Sequence, residues 1–337
     1  MTLNTRLGGF KILKQVGWIS FRASAGQKAA AAKFSHLMAK EKINISFLNC
    51  AYRGHCWNLD AVVDAAQARS LSAKVEKIVG VANQKSNRSS ILSLFPHKSN
   101  PEITAELIRL LVDKSIQPAS IAQSSSSISV VVKESLIETV TKALFSSFDF
   151  STYRTPEDWK LAQKGKERLF KEVVASYQEK KPKVYSLDLH ENQVLFRLDL
   201  YRGRVHQFCL LLERLAREEI GIPFFISSPF EKKEGWKVFL CLPGPDHNYR
   251  RMFKDMSCLN QITSSVPVSV FSMTGPHFGD RYGIASEIFL SIEDSGSDLM
   301  GLCCSIATVT GLLPQKQVRK AAGSLQRHFD IPAVVIK

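Results

Sequence analysis

Residues 103–132 read "ITAELIRLLVDKSIQPASIAQSSSSISVVV", and they carry the clearest pattern of secondary structure in the sequence. Its first half predicts an amphipathic helix, because apolar residues recur at helical spacing: Ile103, Leu107, Leu110 and Leu111. Two β-rich runs follow, "PASIAQ" and "ISVVV", and the four serines 124–127 separate them. A run of serines suits a linker by composition, but between two strands of one unit it suits a hairpin turn. We therefore predict helix, strand, turn and strand inside a single folded unit.

The same pattern recurs four times along the chain, as a β-rich run, a helix, two further β-rich runs and a second helix. The first strands of the four repeats are centred near Trp18, Ile91, Leu195 and Val268, so successive intervals are 73, 104 and 73 residues. With a last strand candidate, "IPAVVIK", this order is typical of the ferredoxin-like βαββαβ plan. We therefore predict an α+β protein of four ferredoxin-like units.

The longer middle interval marks a connector between two halves. Thr155 as a helix cap, Pro156 at the first helical position and two acidic residues after it predict that a helix begins there. We assign residues 154–183 to this connector helix, and the four units to residues 1–83, 84–153, 184–262 and 263–337.

The composition is that of a globular protein, with 337 residues, 45% of them hydrophobic and 23% charged. No stretch approaches the roughly 18 apolar residues of a spanning helix, and the N-terminal residues lack a secretory pattern, so we expect a cytoplasmic protein. The seven cysteines are scattered without a C-x-x-C pair, which argues against a disulfide framework and a zinc site. We predict no metal and no cofactor.

The net charge of +14 is uneven, since residues 1–153 carry +9 and residues 184–337 carry +1. A basic half fits a nucleic-acid partner, because clustered lysine and arginine release counterions from phosphates. The simpler interpretation, which we favour, is a solvated surface that keeps the protein dissolved.

Several stretches resemble the ACT domains of aspartokinase regulatory regions. "YGIASEIF" (residues 282–289) is similar to the P-G-V-A-x-x-I-F that opens the first helix in that family, with Tyr282 in place of proline. Residues 103–132 resemble the family's helix, second strand and third strand. "FKILKQVGWISFRA" from Phe10 and "VYSLDLHENQVLFRLDL" from Val184 are similar to the strand that leads into the first ACT unit.

The resemblance covers nearly the whole chain in two copies, but the kinase's K-F-G-G-T/S stretch is missing. "RLGGFKI" (residues 6–12) keeps only the two glycines, and no G-x-x-x-x-G-K-S/T loop occurs. The chain therefore resembles a tandem duplication of the regulatory region without the kinase domain.

The resemblance implies four ACT units arranged as two paired halves with joined antiparallel sheets. The implied assembly is either a monomeric internal pseudo-dimer or a homodimer. It also implies a non-catalytic regulatory or sensor protein, not an enzyme, which binds an amino acid or similar effector between units and has a metabolic enzyme as a further partner.

Effector-binding residues are implied on the loop from the first strand to the first helix and on the facing second strand. A carboxylate is stabilised there by the free N–H groups and the positive end of the helix dipole. Asp280 would receive the amino group, although the glycines of its loop also fit a plain tight turn. The candidates are Ser24, Gly26, Gln27, Asn44, Asn49, Thr274, Gly275, Gly279, Asp280, Tyr282, Gly283 and Ile284, with no catalytic residue.

Other functions stay open at this point. The RNA-recognition motif has the same element order, but it needs stacking aromatic residues on its third strand, where "WNLDAVVD" and "ISVVVK" are mainly aliphatic. Nucleic acid is therefore the less favoured partner. A structural scaffold, or a regulatory subunit acting in trans on a metabolic enzyme, is a further alternative.

Overall fold

The computed structural model describes residues 5–23, 27, 29–53, 56–79, 83–163, 181–230, 234–244, 249–255, 263–264, 267–276 and 278–337. The protein is α+β and is built on one large mixed sheet. Up to residue 163 the elements are β1 (Thr5–Leu7), β2 (Gly9–Ala23), α1 (Ala30–Lys40), β3 (Phe47–Arg53), β4 (Cys56–Asp64), α2 (Ala65–Val79), β5 (Asn83–Phe95), α3 (Pro101–Asp113), β6 (Ser120–Gln123), β7 (Ile128–Lys133), α4 (Ile137–Ser147), β8 (Phe148–Phe150) and α5 (Pro156–Gln163).

The elements after residue 180 follow a similar course. They are β9 (Ser186–Tyr201), α6 (Val205–Arg217), β10 (Phe224–Pro229), β11 (Gly235–Pro243), α7 (Tyr249–Asp255), β12 (Thr263–Ser264), β13 (Val268–Thr274), α8 (Ile284–Asp294), β14 (Gly301–Ser305), β15 (Thr308–Pro314), α9 (Val318–His328) and β16 (Val334–Ile336).

Four segments share the order strand, helix, strand, strand, helix. We call them segment A (residues 9–79), segment B (83–147), segment C (186–255) and segment D (268–328). In each, the middle two strands form an antiparallel pair. The local sequence therefore determines four segments with the same order of elements. The contacts between these segments determine the complete fold.

The segments pair across the two halves of the chain. β3 of segment A pairs antiparallel with β14 of segment D, with Asn49 opposite Cys303. β6 of segment B pairs antiparallel with β10 of segment C, with Ala122 opposite Ile226. Segment A is thus joined to D, and segment B to C.

Long strands connect these two pairs. In β9, residues 186–193 pair with β13 of segment D, and residues 193–201 pair with β11 of segment C. In β2, residues 9–13 pair only with β5, whereas residues 16–23 also pair with β4. Because β9 also pairs with β11, the path from β11 through β6, β2 and β14 to β9 closes into a ring.

The buried side chains form three hydrophobic cores. Their composition shows that the helices lie outside and the strands inside. One core packs α3, α4, α6 and α7 on the strands of segments B and C, and a second packs α1, α2, α8 and α9 on those of A and D. The third contains strand residues from all four segments, such as Phe47, Val131, Phe224 and Leu312. The single closed sheet therefore has two facing layers, one from segments A and D and one from segments B and C, and helices cover both; we call these layers the two sheets.

Several local predictions can be compared with the structure. The serines 124–127 form the turn of a β6–β7 hairpin, with the Ser124 amide donating to the Ser127 carbonyl at 2.8 Å, so the hairpin is confirmed. Helix α5 begins at Pro156, and the Asp158 amide donates to the Thr155 hydroxyl at 3.1 Å. Residues 164–180 of the predicted connector lie outside the described residues. No helix among the described residues is long and apolar enough to cross a membrane.

Candidate functional site

A cleft lies where segment A meets segment D, on the helix side of the β3–β14 junction. It encloses about 310 Å³, including its open mouth. One wall comes from α1 and the loop before β3, and the other from the loop that leads into α8. The lining residues are Ser35, Met38, Ile45, Phe278, Arg281, Gly283, Ile284, Ala285, Ser286 and Cys304.

The loop that leads into α8 needs two glycines. A β-carbon on Gly275 would lie 2.4 Å from the Phe278 ring, and one on Gly279 would lie 2.1 Å from the Ile306 carbonyl oxygen. The Asn44 amide holds this loop from segment A, donating through Nδ2 to the Gly279 carbonyl at 2.7 Å. Close approach of backbone to backbone thus sets the shape of this wall.

The N-terminus of α8 faces the cleft without a side-chain cap. Gly283 precedes the helix in the left-handed region, with φ of 91°, and no side chain accepts a hydrogen bond from this end. The first N–H groups of a helix have no intrahelical partner, and they carry the positive end of its dipole. Since residues 283–286 line the cleft, this end can bind a carboxylate.

Two buried polar atoms near the cleft have no hydrogen-bond partner among the residues that the structure describes. Ser35 is 1% exposed and lines the cleft, and its Oγ atom is unpaired. The Oδ1 atom of Asn44, next to the lining residue Ile45, is also buried and unpaired. Buried polar groups normally find a partner, so Ser35, which lines the cleft, offers a hydrogen-bonding position to a polar ligand. The Ser286 hydroxyl, in contrast, already contacts Nδ1 of His36 at 2.6 Å.

The structure brings together only part of the predicted effector set. Gly283 and Ile284 line the cleft, and Gly275 and Gly279 shape its loop. Asp280 is exposed and Tyr282 is half-buried, and neither lines the cleft.

The remaining candidates lie elsewhere. The Thr274 hydroxyl contacts that of Thr308 at 3.2 Å, and Gln27 Nε2 donates to the Val79 carbonyl at 2.9 Å. Ser24 and Gly26 lie outside the described residues. The residues that sequence reasoning missed include Ser35, whose polar side chain interrupts the apolar face of α1.

Asn49 lies between the two sheets, away from the cleft. Its Nδ2 atom donates to the Ser120 hydroxyl at 2.8 Å and to the Ser227 carbonyl at 2.9 Å. It therefore joins segment A to segments B and C.

Asp60 belongs to the same buried polar group. Its Oδ2 atom accepts from the hydroxyl of Ser228 at 2.6 Å and from that of Ser120 at 3.2 Å. Burial raises the pKa of Asp60 from 3.8 to about 6, and the serine hydroxyls oppose that rise. This group is a junction between sheets, closed to ligands by its burial.

The junction between segments B and C differs from the A–D cleft. His97 is fully buried in the loop before α3, where its Nε2 atom contacts the Thr104 hydroxyl at 3.0 Å. Thr104 donates to Gln123, and Gln123 donates to the Ile222 carbonyl at 2.6 Å. The chain's own side chains therefore make several hydrogen bonds here, while Nδ1 of His97 is buried and has no partner among the described residues.

A second cavity at the B–C junction is almost wholly apolar. Its empty space, including the open mouth, is about 280 Å³. Its lining residues are Ile108, Leu111, Pro118, Ile121, Leu200, Phe225, Ser227, Trp236 and Val238. No helix N-terminus lines it, so it offers no comparable anion site.

The described residues offer little for nucleophilic or metal chemistry. Burial raises the pKa of Cys303 to about 12 and raises the pKa values of Cys50 and Cys304 as well, which keeps these thiols neutral. Among these residues, no group of three or more His, Cys, Asp or Glu side chains could hold a metal ion.

The order of elements and the ring of strands can now be compared with solved structures. The chain is similar to an aspartate kinase. That structure, the aspartate kinase from Synechocystis, superposes with a TM-score of 0.73 at 13% identity, over 98% of this chain and 57% of its own. The chain thus spans a little over half the length of that enzyme, and at this identity the likeness shows the fold alone.

Two further structures match a smaller part of the chain. The aspartokinase alpha and beta subunits match at 17% identity, with a TM-score of 0.38, over 42% of this chain and 97% of that one. The ligand-free regulatory subunit of aspartate kinase from Thermus thermophilus matches at 19% identity, with a TM-score of 0.39, over 42% and 99%. The sequence matches no protein-family model and no curated protein.

The likeness to the Synechocystis enzyme corrects three predictions. The sequence was interpreted as a regulatory region without a kinase domain, as a non-catalytic regulator and as no enzyme. These interpretations are wrong, because a solved structure that matches 98% of this chain, over 57% of its own length, is an aspartate kinase. The absence of a short motif does not exclude an activity that depends on three-dimensional arrangement.

Proposed function

We propose that this chain acts in an enzyme of the aspartate kinase type and that the A–D cleft binds an amino-acid effector of that enzyme. One observation carries the proposal. The uncapped N-terminus of α8 and the buried hydroxyl of Ser35, which has no partner among the described residues, line the same cleft. The likeness to an aspartate kinase supports the type of enzyme.

The cleft suits a small zwitterion. Its carboxylate would accept hydrogen bonds from the N–H groups at the start of α8, where the helix dipole is favourable. Its ammonium group would donate to the Ser35 hydroxyl oxygen, which lines the cleft and has no partner among the described residues. Binding would satisfy groups that otherwise remain desolvated and unpaired.

We further propose that segments A to D are ferredoxin-like units of the ACT type, with boundaries near residues 83, 153, 183 and 262. The repeated element order and the pairing of A with D and of B with C support this proposal. Both pairs form within one chain, as in an internal pseudo-dimer. The effector would then bind at the junction of two units.

Calorimetric titration of the full chain with each of the twenty amino acids tests effector binding. A ligand that binds only the folded state also raises the melting temperature by mass action, so a thermal-shift series gives an independent readout. We expect one or a few amino acids to bind. If no amino acid shifts the melting temperature or releases heat at 10 mM, about the limit for weak effectors, the effector proposal is rejected.

An assay of aspartate-dependent ADP release from ATP tests the type of enzyme. We expect the rate to change when the bound amino acid is added. A protein that binds an amino acid but releases no ADP would overturn the enzyme proposal and leave effector binding in place.

A further inference from the structure

We infer that the B–C junction is closed by the chain itself: the buried imidazole of His97 takes the place that the open cleft has in the A–D junction, and it acts as a built-in ligand that joins segment B to segment C. This inference goes beyond the proposed function. It concerns the other pair of segments, and its tests do not depend on effector binding in the A–D cleft.

The two junctions are built from corresponding parts. The loop after β5 leads into α3, just as the loop after β13 leads into α8. The strand pairings place Gln123 of β6 and Cys304 of β14 at corresponding positions. Cys304 lines the open A–D cleft, whereas Gln123 is fully buried and hydrogen-bonded. His97 lies in the loop before α3, which corresponds to the loop that forms the wall of the A–D cleft.

The helix N-termini at the two junctions also differ. Helix α3 begins with Pro101, and the Asn100 side chain accepts a hydrogen bond from the Glu102 amide at 2.9 Å. Helix α8 has no such cap. A capped N-terminus has fewer free N–H groups to offer a carboxylate. The start of α3 is thus satisfied by its own chain.

The hydrogen bonds that begin at His97 have one possible direction. The Ile222 carbonyl can only accept, so Gln123 donates to it through Nε2 at 2.6 Å and turns Oε1 toward Thr104. The Thr104 hydroxyl uses its one hydrogen on that oxygen, at 2.8 Å. It must therefore accept from Nε2 of His97, which lies 3.0 Å away. The relay leads from the imidazole in segment B to the backbone of segment C.

Backbone hydrogen bonds fix the loop of His97 from both segments. Within segment B, the His97 amide donates to the Ser126 carbonyl at 3.1 Å. From segment C, the Ile222 amide donates to the Ser99 carbonyl at 2.9 Å. The ring is therefore held between the two segments, as a bound molecule would be.

The His97 ring is neutral. The relay assigns its proton to Nε2, and a second proton would go to Nδ1, which has no partner among the described residues. Burial lowers the pKa of His97 to about 3. β6 and the serine turn contain no titratable residue. The titratable residues nearest in the chain to the His97 loop and to Ile222 are exposed or half-buried: Lys98, Glu102, Glu106, Glu218 and Glu219.

Removal of the ring from the full chain, followed by addition of a free ring, tests this inference. We expect His97→Ala to lower the melting temperature by about 5 °C, since the loss of a large buried side chain leaves a cavity. The side-chain analogue 4-methylimidazole should then raise the melting temperature of the variant by about 2 °C, the effect of a ligand at about ten times its dissociation constant. It should leave that of the wild type unchanged.

The rescue should depend on the charge of the probe. Imidazole groups titrate at about pH 6.5, so the probe is mainly neutral at about pH 8.5 and mainly cationic at about pH 5.5. We expect rescue only at the higher pH, because a buried cation without a counter-charge is costly. The matched control is His190→Ala, which removes a half-buried ring from β9 and should show no response to the probe.

Two further measurements test the relay itself. Thr104→Val removes the hydroxyl but keeps the ring, so we expect the melting temperature to fall by about 2 °C without any response to 4-methylimidazole. In the wild type, ¹⁵N NMR of labelled histidine near neutral pH should show a proton on Nε2 of His97 and none on Nδ1.

Three results would overturn the inference. A His97→Ala protein as stable as the wild type would show that the ring does not close the junction. A folded, destabilised variant that 4-methylimidazole does not stabilise would show that the ring does not act as a ligand. A proton on Nδ1 would contradict the relay, and if His97→Ala does not fold, the NMR measurement and Thr104→Val decide the question.

Discussion

Gly279 occupies a position that no other residue can take without moving the backbone. A β-carbon there would lie 2.1 Å from the Ile306 carbonyl oxygen, well inside van der Waals contact. We predict that Gly279→Ala displaces the loop, lowers the free energy of unfolding by on the order of 2 kcal/mol and abolishes effector binding. Chemical denaturation and calorimetric titration measure the two effects.

A matched control for that substitution exists in α9. Gly323 has no atom within 4 Å of an added β-carbon. Gly323→Ala should stabilise the protein by up to about 1 kcal/mol, since alanine favours a helix interior, and should leave binding unchanged. A Gly279→Ala protein that binds normally would show that the loop does not form the site.

Asp60 makes the stability of the protein depend on pH. Its pKa is 3.8 when unfolded and about 6 when folded, because burial disfavours the charged form. The folded state therefore binds the proton more tightly, and the stability from this group is complete below about pH 4 and is lost as the pH rises through 6. The shift corresponds to about 3 kcal/mol.

The Asp60→Asn variant isolates this effect. We predict that the free energy of unfolding of the wild type, relative to that of the variant, falls between pH 4 and 7. Urea denaturation at several pH values gives both curves. Asp113→Asn, on an exposed face of α3, should keep the wild-type slope, and an unchanged slope in Asp60→Asn would disprove the assignment.

At the level of elements, the serine turn joins two halves of the molecule. The Ser126 hydroxyl contacts that of Thr308 at 2.7 Å, and the hydroxyls of Ser124 and Ser127 each contact that of Ser305 at 3.2 Å. The β6–β7 hairpin of segment B is thus tied to the β14–β15 hairpin of segment D. The serine turn, whose composition alone suggests a linker, therefore forms a contact between segments B and D.

A double-mutant cycle measures the interaction energy between the hydroxyls of Ser126 and Thr308. We predict that Ser126→Ala and Thr308→Val each lower the free energy of unfolding by about 1 kcal/mol, and that the double variant loses less than their sum. A coupling energy of about 0.5 to 1 kcal/mol indicates a direct bond. Purely additive losses would show that the two hydroxyls do not interact in solution.

The sequence predicted the helices and strands better than it predicted which strands pair with each other. Helical and strand periods are local, so the helix near Leu107 and the hairpin around the serines could be read from neighbouring residues. The passage of β9 from one sheet to the other depends on contacts distant in sequence. Periodicity contains no information about such contacts.

The effector-site residues stay predictions, and their places in the fold depend on contacts that the sequence does not show. Asn49 was assigned to the effector site, but side chains alternate along β3, so Leu48 and Cys50 face the helices while Asn49 faces the other sheet. Ser35 was missed because a single polar residue on an apolar helix face is visible only when its partners are known. Its lack of a partner is a property of the folded structure.

The two halves of the chain share a hydrophobic core and pair their strand edges with each other. The core between the sheets takes Phe47 and Val131 from the first half and Phe224 and Leu312 from the second. Separation would expose these side chains together with the edges of β3 and β6, which otherwise pair with β14 and β10. Open edges and apolar faces of this kind promote association.

We therefore predict that residues 1–153 and 181–337, produced separately, do not fold as monomers and form a 1:1 complex when mixed. Size-exclusion chromatography with light scattering gives the masses, and circular dichroism on heating gives the cooperativity. The intact chain should melt in one transition, and at a higher temperature than the complex, because covalent connection raises the effective concentration of one half near the other. Two halves that each melt cooperatively as monomers would mean that the ring of strands contributes little to stability.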